Sequence, residues 1–316
     1  MTNTQSCIKI FGASTGCISL DIALGGKSSL EFSSMTEVSG ENGVGKTTLA
    51  LHSVVNCQRT GGVAAFIETE QAIDPTYMER VGINMTDVIF SQPKSMDEAF
   101  KIAFELVKSD TVNLIIFDSI ASMLPQNEIN NGLECKNAAL EFSRELGKNL
   151  EQLQSLVKNS MCSIIFINQL RQNPNNSEWY SIGGKPIERY MNTRIRLKKG
   201  KLLLSKKDNE TKIGHHVIAT VTKNDYGLKG NIATFSIHHQ KGINTILDAF
   251  NKAMEYGLIQ ETQQGFIVGY KPLHGEVIGR TKADVLNVLA TYPDFRTELD
   301  IASLYEHLRR QKKLLK

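Results

Sequence analysis

Short runs of apolar residues alternate with longer segments of helical spacing through the first half of the chain. The apolar runs have the length of buried strands and occur at residues 35–39, 63–68, 88–90, 113–118 and 162–168. Apolar residues recur with helical spacing at residues 47–58, 97–108 and 140–157. Strands that alternate with helices in this order predict an α/β fold, in which helices cover both faces of a central, mostly parallel sheet.

The pattern changes after residue 193. Three successive strand-like segments, at residues 194–201, 217–222 and 231–238, are separated by Gly, Asn and Asp. Short strands joined by turn residues are typical of antiparallel pairing. We therefore expect these strands to extend the same sheet in antiparallel order.

A second change comes near Gly-Ile-Asn at 242–244. The segments beyond it read as a helix at 246–256, a strand-like hairpin at 265–277 and helices at 281–291 and 298–310. This order predicts a small C-terminal α+β domain. The expected division is a short N-terminal arm at 1–11, a core at 12–244 and the C-terminal domain at 245–316.

Composition narrows the class of protein without identifying it. The 316 residues include 36 Lys and Arg against 33 Asp and Glu, so the formal net charge is only +3. Hydrophobic residues make up 41% of the chain, enough apolar surface to offset the entropy of folding, which argues against a disordered protein. The apolar runs are far shorter than the roughly 20 residues that a spanning helix needs, so no membrane partner is expected. The five cysteines are scattered without a C-x-x-C pair, which favours reduced thiols and a cytoplasmic location.

A phosphate-binding motif lies where a predicted strand passes into a predicted helix. Residues 40–47 read Gly-Glu-Asn-Gly-Val-Gly-Lys-Thr and fit the pattern G-x-x-x-x-G-K-[ST]. Glycines let backbone N–H groups converge on phosphates, and the helix N-terminus adds positive potential. Lys46 would reach the β- and γ-phosphates, and the Thr47 hydroxyl would ligate Mg²⁺. The alternative is a chance glycine-rich turn, which the flanking strand and helix disfavour.

Carboxylates occur at the ends of two predicted strands. Asp118 follows an apolar run, where it would hold the water shell of Mg²⁺, although an aspartate at a strand end is often only a turn or cap residue. Glu68 and Glu70 flank Thr69 at the end of another strand. Either glutamate could orient an attacking water or lie in a solvated loop, and their spacing does not choose between them.

Many motifs in a fixed order give the chain its resemblance to a known family. The matching stretches are Ser-Thr-Gly at 14–16, Leu-Asp-Ile-Ala-Leu-Gly at 20–25, Ala-Phe-Ile-Glu-Thr-Glu at 65–70, Ala-Ile-Asp-Pro at 72–75, Ser-Gln-Pro at 91–93, Phe-Asp-Ser-Ile-Ala at 117–121, Ile-Phe-Ile-Asn-Gln-Leu-Arg at 165–171, Gly-Ile-Asn at 242–244 and Ile-Gly at 278–279. Together they resemble the RecA family of DNA strand-exchange recombinases. The resemblance extends over residues 12–316. It implies a RecA-type P-loop ATPase core with a small C-terminal α+β domain.

The resemblance assigns roles in a site for ATP and Mg²⁺. Glu70 matches the family's water-activating glutamate, and Gln169 matches the switch that senses the γ-phosphate and signals to a DNA-binding loop. Tyr77 would stack on the adenine, while Asp74 would accept a hydrogen bond from its amino group. The expected catalytic residues are Lys46, Glu70, Gln169 and Lys223. The expected nucleotide contacts are Gly40, Glu41, Asn42, Gly43, Val44, Gly45, Lys46, Thr47, Thr48, Asp74, Tyr77, Asp118 and Asp225, with Thr47 and Asp118 as metal ligands.

Two loops would face DNA along the axis of a filament, as the resemblance implies. The first lies near residues 130–137, and the second is the polar segment 172–182. Trp179 and Tyr180 in the second loop would wedge between bases or stack on them. The alternative is that they pack under the loop, which an Asn- and Ser-rich segment disfavours. The expected DNA contacts are Arg144, Arg171, Trp179, Tyr180, Gly183 and Gly184.

The chain departs from the family at the interface between subunits. The arm at 1–11 is shorter than the helix and strand that the family docks on a neighbouring subunit, so the usual filament contact is open to question. The family also places two interface lysines at the γ-phosphate; Lys223 matches one, but Asp225 replaces the other. We expect Asp225 to hold a cation such as K⁺ that supplies the missing charge, and hydrolysis to be stimulated by K⁺.

Basic residues are clustered in two places. The C-terminal segment 309–316 is basic where the family has an acidic tail, and it would either complement a helix dipole or attract duplex DNA. The second cluster would be either a solvated face or a DNA contact. Its seven basic residues are Arg194, Arg196, Lys198, Lys199, Lys201, Lys206 and Lys207.

The expected function is that of a DNA-dependent ATPase. It would assemble on single-stranded DNA as a helical filament of identical subunits, and exchange that strand with double-stranded DNA. One alternative is a RecA-like accessory or regulatory ATPase that does not exchange strands, which the short arm favours. Another is a non-catalytic partner of a second recombinase's filament. The accessory ATPase is disfavoured because the chain retains Glu70, Gln169 and both loops. Lack of ATP turnover with DNA present would support the non-catalytic partner.

Overall fold

The structure is a computed structural model that describes residues 12–26, 30–31, 33–70, 73–123, 138–172, 179–205, 208, 210–270 and 273–314. Its helices are α1 (Ile18–Ala23), α2 (Lys46–Arg59), α3 (Pro75–Val81), α4 (Met96–Lys108), α5 (Ala138–Val157), α6 (Lys185–Tyr190), α7 (Thr245–Glu255), α8 (Lys282–Thr291) and α9 (Pro293–Leu314). Its strands are β1 (Gly12–Ala13), β2 (Leu30–Glu31), β3 (Met35–Gly40), β4 (Ala64–Glu68), β5 (Val88–Ser91), β6 (Leu114–Asp118), β7 (Ser163–Gln172), β8 (Trp179–Ser181), β9 (Thr193–Leu204), β10 (Lys212–Asn224), β11 (Ile232–His238), β12 (Gly242–Ile243), β13 (Ile259–Thr262), β14 (Gly265–Val268) and β15 (Val277–Gly279).

A sheet of ten strands forms the centre of the described chain. Its order is β12-β11-β10-β9-β3-β7-β6-β4-β5, with β8 paired to β7 outside this path. Neighbours from β9 to β5 pair in parallel, so that Val38 of β3 lies between Ile167 of β7 and Ile195 of β9. Strands β10, β11 and β12 continue the sheet in antiparallel order. The predicted α/β fold, a mostly parallel sheet with an antiparallel extension, is confirmed.

Both faces of the inner parallel strands β3, β4, β6 and the first part of β7 are buried, which explains why these strands read as unbroken apolar runs, whereas the edge strand β5 is partly exposed. Phe66 and Ile116 lie in the apolar cluster that includes α2. Phe100, Phe117 and Phe166 lie in the cluster on the other face, which includes α4 and α5. The rings of Phe117 and Phe166 stack with their centres 4.7 Å apart.

Side chains at the helix starts set where the helices begin. The Ser95 hydroxyl caps α4 by accepting a hydrogen bond from Glu98 N at 3.3 Å. Thr281 and Asp284 form a reciprocal capping box at the start of α8. Each cap satisfies a backbone N–H that has no partner inside its helix, and contributes about 1 kcal/mol.

A smaller antiparallel sheet, β13-β14-β15, lies beyond Asn244. Helices α7, α8 and α9 pack around an apolar core that contains Phe250, Phe266 and Leu299. Ile18 and Ile22 of α1 belong to the same core, so this part packs against the larger one through α1. The α+β character is as expected, while the division of the chain into domains after residue 244 stays a prediction.

Two elements of the C-terminal part differ in extent from the sequence prediction. The hairpin expected at 265–277 forms from β14 and β15, which ends at Gly279, and β13 adds a third strand on the other side of β14. The last helix begins at Pro293 rather than at residue 298. Proline is well tolerated in the first turn of a helix, and Asp294 beside it complements the helix dipole, so the proline starts this helix instead of preceding it.

The sheet order places four strand ends side by side. Strands β4, β6, β7 and β3 are successive neighbours, and their carboxyl ends point to the same edge because they are parallel. Open α/β sheets bind ligands outside this edge. No helix within the described ranges is long and apolar enough to cross a membrane.

Candidate nucleotide site and adjoining loop face

The loop between β3 and α2 needs glycine for two geometric reasons. A Cβ atom at Gly40 would lie 2.7 Å from the carbonyl oxygen of Leu197 and 2.8 Å from Cγ1 of Val44. Gly45 has a φ of 105°, in the left-handed region, and directly precedes α2. The loop therefore turns sharply into the helix. The first N–H groups of that helix lack partners within it, which makes this end suited to an anion.

The Lys46 side chain folds back over this loop. Its Nζ donates hydrogen bonds to the carbonyl oxygens of Gly40 at 3.1 Å and Glu41 at 3.0 Å. Burial lowers the pKa of Lys46, while the negative charges of Asp118 and Glu70 oppose that lowering. The ammonium group is thus held against the backbone of the phosphate loop, where the charges of Asp118 and Glu70 act on it.

Thr47 and Asp118 are brought into direct contact. The Thr47 hydroxyl donates to Asp118 Oδ2 at 2.7 Å, and Asp118 is 4% exposed. Burial raises the pKa of Asp118 to about 6 with help from Glu70, whereas the hydrogen bond from Thr47 and the charge of Lys46 lower it. A cation beside this buried carboxylate would stabilise its ionised form.

The oxygen donors of Thr47 and Asp118 fit a Mg²⁺ ion that is also bound by the phosphates of a nucleotide. Mg²⁺ usually takes one or two protein oxygens and completes its shell with phosphates and waters. A hydroxyl and a carboxylate in contact, as at Thr47 and Asp118, supply those oxygens. No cluster of three or more His, Cys, Asp or Glu side chains suited to a metal occurs in the described part of the chain.

Glu70 and Glu68 occupy different environments. Glu70 Oε1 accepts hydrogen bonds from the Ser119 hydroxyl and from Gln169 Nε2, the latter at 3.2 Å. Glu68 is 1% exposed and accepts from Gln92 Nε2 at 2.8 Å. Only Glu70 lines the cavity beside the phosphate loop. The geometry therefore favours Glu70 in the choice that spacing left open.

A cavity of about 360 Å³ lies at the carboxyl edge of the sheet. Its lining combines the phosphate loop with the strand-end carboxylates and with three residues from β10, β11 and the turn after β11. The lining residues are Asn42, Gly43, Gly45, Lys46, Thr47, Thr48, Glu70, Tyr77, Asp118, Ile167, Gln169, His215, Ile237 and His239. Most of the predicted nucleotide contacts thus share one cavity. The Tyr77 hydroxyl lies 2.9 Å from that of Thr48.

His215, Ile237 and His239 were missed by the sequence analysis. His215 is 2% exposed, and its Nε2 lies 3.2 Å from the carbonyl oxygen of Val44 in the phosphate loop. The rings of His215 and His239 are 5.8 Å apart, and burial lowers the pKa of His215. His215 comes 171 residues after Val44, so only the pairing of β9 with β10 brings the two together.

The end of the second predicted loop is part of a hairpin. Strand β7 continues to Gln172, and β8 returns antiparallel to it with Arg171 opposite Tyr180 and Gln172 opposite Trp179. Trp179 is 41% exposed and Tyr180 48% exposed. The predicted loop 172–182 therefore ends in a strand, because the β7 ladder extends farther than its apolar run. Residues 173–178, and the first loop near 130–137, lie outside the described residues.

A second cavity of about 580 Å³ lies between α5 and α6, next to the hairpin. Arg144, Lys185 and Arg189 line it together with a single carboxylate, Glu188. Gly183 and Gly184, which precede α6, both have positive φ. We call the exposed hairpin and this basic cavity the loop face. Its excess of cations is suited to phosphate oxygens.

Comparison with known proteins identifies the family. A family model described as the RecA N-terminal domain matches residues 1–244. The chain is 32% identical over 289 residues to Protein RecA of Rhodopirellula baltica, covering 90% of this chain and 74% of that protein. It is also 32% identical over 303 residues to Protein RecA of Rubrobacter xylanophilus, covering 95% of this chain and 85% of that protein. The chain belongs to the RecA family. ATP binding, DNA binding, DNA recombination and DNA repair are the properties that go with this membership.

Asp74, an adenine contact in the RecA-family expectation, lies outside the cavity lining. Its carboxylate caps α3, accepting from Thr76 N at 2.9 Å and from the Thr76 hydroxyl at 2.7 Å. Arg80 lies 3.5 Å away. Hydrogen bonds from Thr76 lower the pKa of Asp74. The contact with adenine stays a prediction.

Lys223 and Asp225 also lie away from the cavity that their own chain forms. Lys223 Nζ donates to the carbonyl oxygens of Met191 at 2.6 Å and Glu188 at 3.1 Å, at the end of α6. Asp225 Oδ1 is 3.7 Å from the same ammonium group, and Asp225 Oδ2 accepts from Asn192 at 3.3 Å. In the RecA family these positions serve a neighbouring subunit's nucleotide, and that role stays a prediction here.

One member of the basic cluster at 194–207 is not available to DNA. Arg194 is only 15% exposed, and its Nε donates to Glu37 Oε2 at 2.7 Å. Arg194 lies in the first half of β9, where the strand is largely buried. The charge of an arginine does not indicate this burial in the sequence. Lys198, Lys199 and Lys201 are exposed or partly exposed farther along β9, while Lys206 and Lys207 lie outside the described residues.

Proposed function

We propose that this chain is a DNA-stimulated ATPase that forms a helical filament on single-stranded DNA and exchanges that strand with a homologous duplex. Gln169 carries the proposal, because it contacts both sites. Its side-chain amide donates to Glu70 Oε1 at 3.2 Å, and its carbonyl oxygen accepts from Ile182 N at 3.3 Å, beside the β7–β8 hairpin. A γ-phosphate that replaced the first contact would bias the conformation of the second.

The cavity residues divide the work of ATP hydrolysis. Backbone N–H groups of the loop 40–47 and the Lys46 ammonium bind the phosphates and neutralise charge that builds up during transfer. Thr47 and Asp118 are the residues that hold Mg²⁺, which when bound adds positive charge beside the phosphates. Glu70, held by Ser119 and Gln169, orients the attacking water.

The loop face is the proposed surface for DNA. Trp179 and Tyr180 are large, exposed and adjacent, as base-stacking residues must be. Arg171 is exposed at the end of β7, and Arg144 lines the basic cavity close by. Phosphate contacts from these arginines would provide affinity without sequence preference.

Asp225 is the proposed site of K⁺. A carboxylate cannot neutralise the γ-phosphate, but a cation held by Asp225 beside Lys223 would do so for the neighbouring subunit's nucleotide. Turnover of ATP with DNA is therefore expected to be higher in KCl than in NaCl at the same ionic strength. Equal rates in the two salts would remove K⁺ from the proposal.

Two further parts of the proposal concern the whole chain. The first is that residues 245–316 form a separate C-terminal domain, so limited proteolysis is expected to cut near residue 244 and to leave both parts folded. The second is a cytoplasmic location, which the scattered and buried cysteines Cys17, Cys57 and Cys162 support.

Electron microscopy with single-stranded DNA and a slowly hydrolysed ATP analogue tests filament formation, and a strand-exchange assay on the same preparation tests function. Helical filaments and exchanged product are the expected result. Filaments without exchange would favour an accessory ATPase. Neither filaments nor DNA-stimulated hydrolysis would contradict the proposal.

A further inference from the structure

A charged cluster lies buried beneath the loop face. Glu37 of β3 and Asn168 of β7 are both 0% exposed, and Arg194 of β9 is 15% exposed. Their neighbours Val38, Ile167 and Ile195 belong to the apolar cluster around α2. Because side chains alternate along a strand, Glu37, Asn168 and Arg194 project from the opposite face of the sheet. We call these three residues the sheet triad.

Glu37 is the centre of the sheet triad. Its Oε2 accepts from Arg194 Nε at 2.7 Å, and its Oε1 accepts from Asn168 Nδ2 at 2.9 Å. Glu37 precedes the phosphate loop by three residues on β3, the strand that leads into it. The triad therefore ties three neighbouring strands together directly behind the nucleotide site.

Both partners of Glu37 also hold the base of the second loop. Asn168 Nδ2 donates to the carbonyl oxygen of Ile182 at 2.8 Å. Arg194 Nη2 donates to the Ser181 hydroxyl at 3.2 Å, and its Nη1 lies 3.5 Å from Glu188 of α6. Ser181 ends β8, two residues after Trp179, so the triad anchors the chain where it leaves the loop face.

A contribution to the stability of the fold is a weak explanation for the presence of the buried sheet triad. Taking a carboxylate and a guanidinium out of water is unfavourable, and an apolar set of the same volume often stabilises a fold as well or better. What such a set cannot do is hold a loop through oriented hydrogen bonds. The guanidinium has a planar fork of donors, which lets Arg194 contact Glu37, Ser181 and Glu188 at once.

The triad also borders the contact on which the proposed function rests. Asn168 Oδ1 accepts from the backbone N of Gln169 at 2.9 Å, and Gln169 turns its side chain to Glu70 in the cavity. Adjacent residues of one strand therefore face the nucleotide and the loop base.

We propose that Glu37, Asn168 and Arg194 are positioning residues that couple the nucleotide cavity to the loop face by fixing Ser181 and Ile182 to the strand of the phosphate loop. This inference rests on the proposed function, since it assumes that the cavity takes a nucleotide and that the loop face takes DNA. Trp179 is the only tryptophan in the chain, so its fluorescence reports the loop base directly.

Ser181→Ala is the most specific test. It removes one acceptor of Arg194 at the loop base and leaves the ion pair with Glu37 in place. Thr222→Val is the matched control, because the Thr222 hydroxyl donates to the backbone carbonyl of the same Arg194 at 3.1 Å, away from the loop. Each change removes one hydroxyl hydrogen bond involving residue 194.

We expect Ser181→Ala to reduce the stimulation of ATP turnover by single-stranded DNA about tenfold, the factor that a hydrogen bond to a charged group represents. The Trp179 fluorescence change on adding a slowly hydrolysed ATP analogue is expected to shrink with it. Turnover without DNA and the KM for ATP are expected to stay near those of the unmodified chain, as is DNA stimulation in Thr222→Val.

Two variants of the triad itself separate coupling from folding. Arg194→Lys keeps the positive charge beside Glu37 but loses the fork to Ser181 and Glu188, so it should reproduce the Ser181→Ala phenotype. Glu37→Gln should do the same while also lowering Tm. A loss of Tm in these variants with full DNA stimulation in the folded protein would mean a structural role only, and would overturn the inference.

The outcomes distinguish the inference from the proposed function. Unaltered DNA stimulation and an unaltered Trp179 response in both Ser181→Ala and Arg194→Lys would overturn the inference alone. So would an unmodified chain that binds the analogue and hydrolyses ATP with DNA, yet shows no Trp179 response to the analogue. An unmodified chain that binds no nucleotide would overturn both.

Discussion

The nucleotide cavity and the loop face lie at the same edge of the sheet but are built in different ways. Residues 42–48 of one continuous segment, whose shape is set by glycine and by the start of α2, supply one part of the cavity lining, and residues from later elements of the chain supply the rest. The loop face exposes Trp179 and Tyr180 on the β7–β8 hairpin, whose return strand is held by Asn168 of β7 and Arg194 of β9. A local motif thus makes the phosphate loop of the first region, while long-range packing completes that region and makes the second.

The difference concerns the side chains that carry charge. In the cavity, Lys46 is held by contacts within the phosphate loop, whereas Asp118 is held by Thr47, which lies 71 residues earlier in the chain. At the loop face, position depends on Glu37 and Arg194, which are 157 residues apart in the chain. Changes in the cavity should therefore lower the rate of ATP hydrolysis by large factors, while changes below the loop face should alter how DNA and nucleotide influence each other.

The largest effect is expected from Lys46→Ala. Removing the ammonium group leaves the phosphate charge without its protein cation, so ATP turnover should fall about 10³-fold, the scale of losing one electrostatic contact to a transition state. A phosphate-release assay measures it. Lys108→Ala is the control, because Lys108 only pairs with Glu105 on the surface at 3.0 Å. If the ATP turnover of Lys46→Ala were close to that of the control, the cavity would not be the site of ATP hydrolysis.

Glu70→Gln is expected to lower turnover about 100-fold, the scale of removing a general base, while a nucleotide analogue still binds. Glu68→Gln is the matched variant, two residues away and buried against Gln92. It should lower Tm but leave kcat of the folded protein nearly intact. The reverse order of the two kcat values would show that Glu68, not Glu70, acts on water.

Trp179→Ala should weaken binding of single-stranded DNA about 30-fold, or about 2 kcal/mol, through loss of one base stack. ATP turnover without DNA should not change, since Trp179 does not line the cavity. Fluorescence anisotropy with labelled DNA measures the affinity. Tyr292→Ala removes an aromatic side chain that is 60% exposed in the C-terminal part, and is the control. Equal affinities of the two variants would argue against stacking at the loop face.

The smallest effect is a pH dependence of stability that comes from His52 on α2. His52 is 6% exposed, Ile243 N donates to its Nε2 at 2.8 Å, and burial, aided by Arg296, lowers its pKa from 6.5 to about 4. The unfolded chain therefore binds this proton more readily than the folded one between these two values. The stabilisation is complete above about pH 6.5 and is lost as the pH falls towards 4.

Denaturant unfolding at pH 7 and pH 5 measures this dependence. The His52 share of the loss is about 2 kcal/mol. Asp300 acts in the opposite sense, because burial raises its pKa to about 7 and its carboxylate form is disfavoured in the fold. The difference between the unmodified chain and His52→Gln isolates the histidine. Equal pH slopes in the two proteins would contradict the assignment.

Much of the fold and the cavity could be predicted because their signals are local. Continuous apolar runs mark strands that are buried on both faces, and the glycine pattern at 40–47 marks a backbone that only glycine adopts. The hairpin at β8 could not be predicted, because Trp179 and Tyr180 sit in a polar segment whose strand depends on pairing with β7. The role proposed for Glu37 could not be predicted either, because a single carboxylate within a strand matches no functional sequence motif.

The sequence by itself determined the α/β order, the phosphate loop and the carboxylates at the strand ends, since each depends on residues close together in the chain. The tertiary structure added a geometric reason to prefer Glu70, which the family resemblance had already indicated, because Glu70 meets Gln169 across the sheet while Glu68 meets Gln92. It also decided that Arg194 is an internal anchor rather than a surface charge. The order of strands in the sheet sets the positions of Glu70 and Arg194. It brings together strands that are far apart in the chain, and a local sequence pattern cannot predict such pairing.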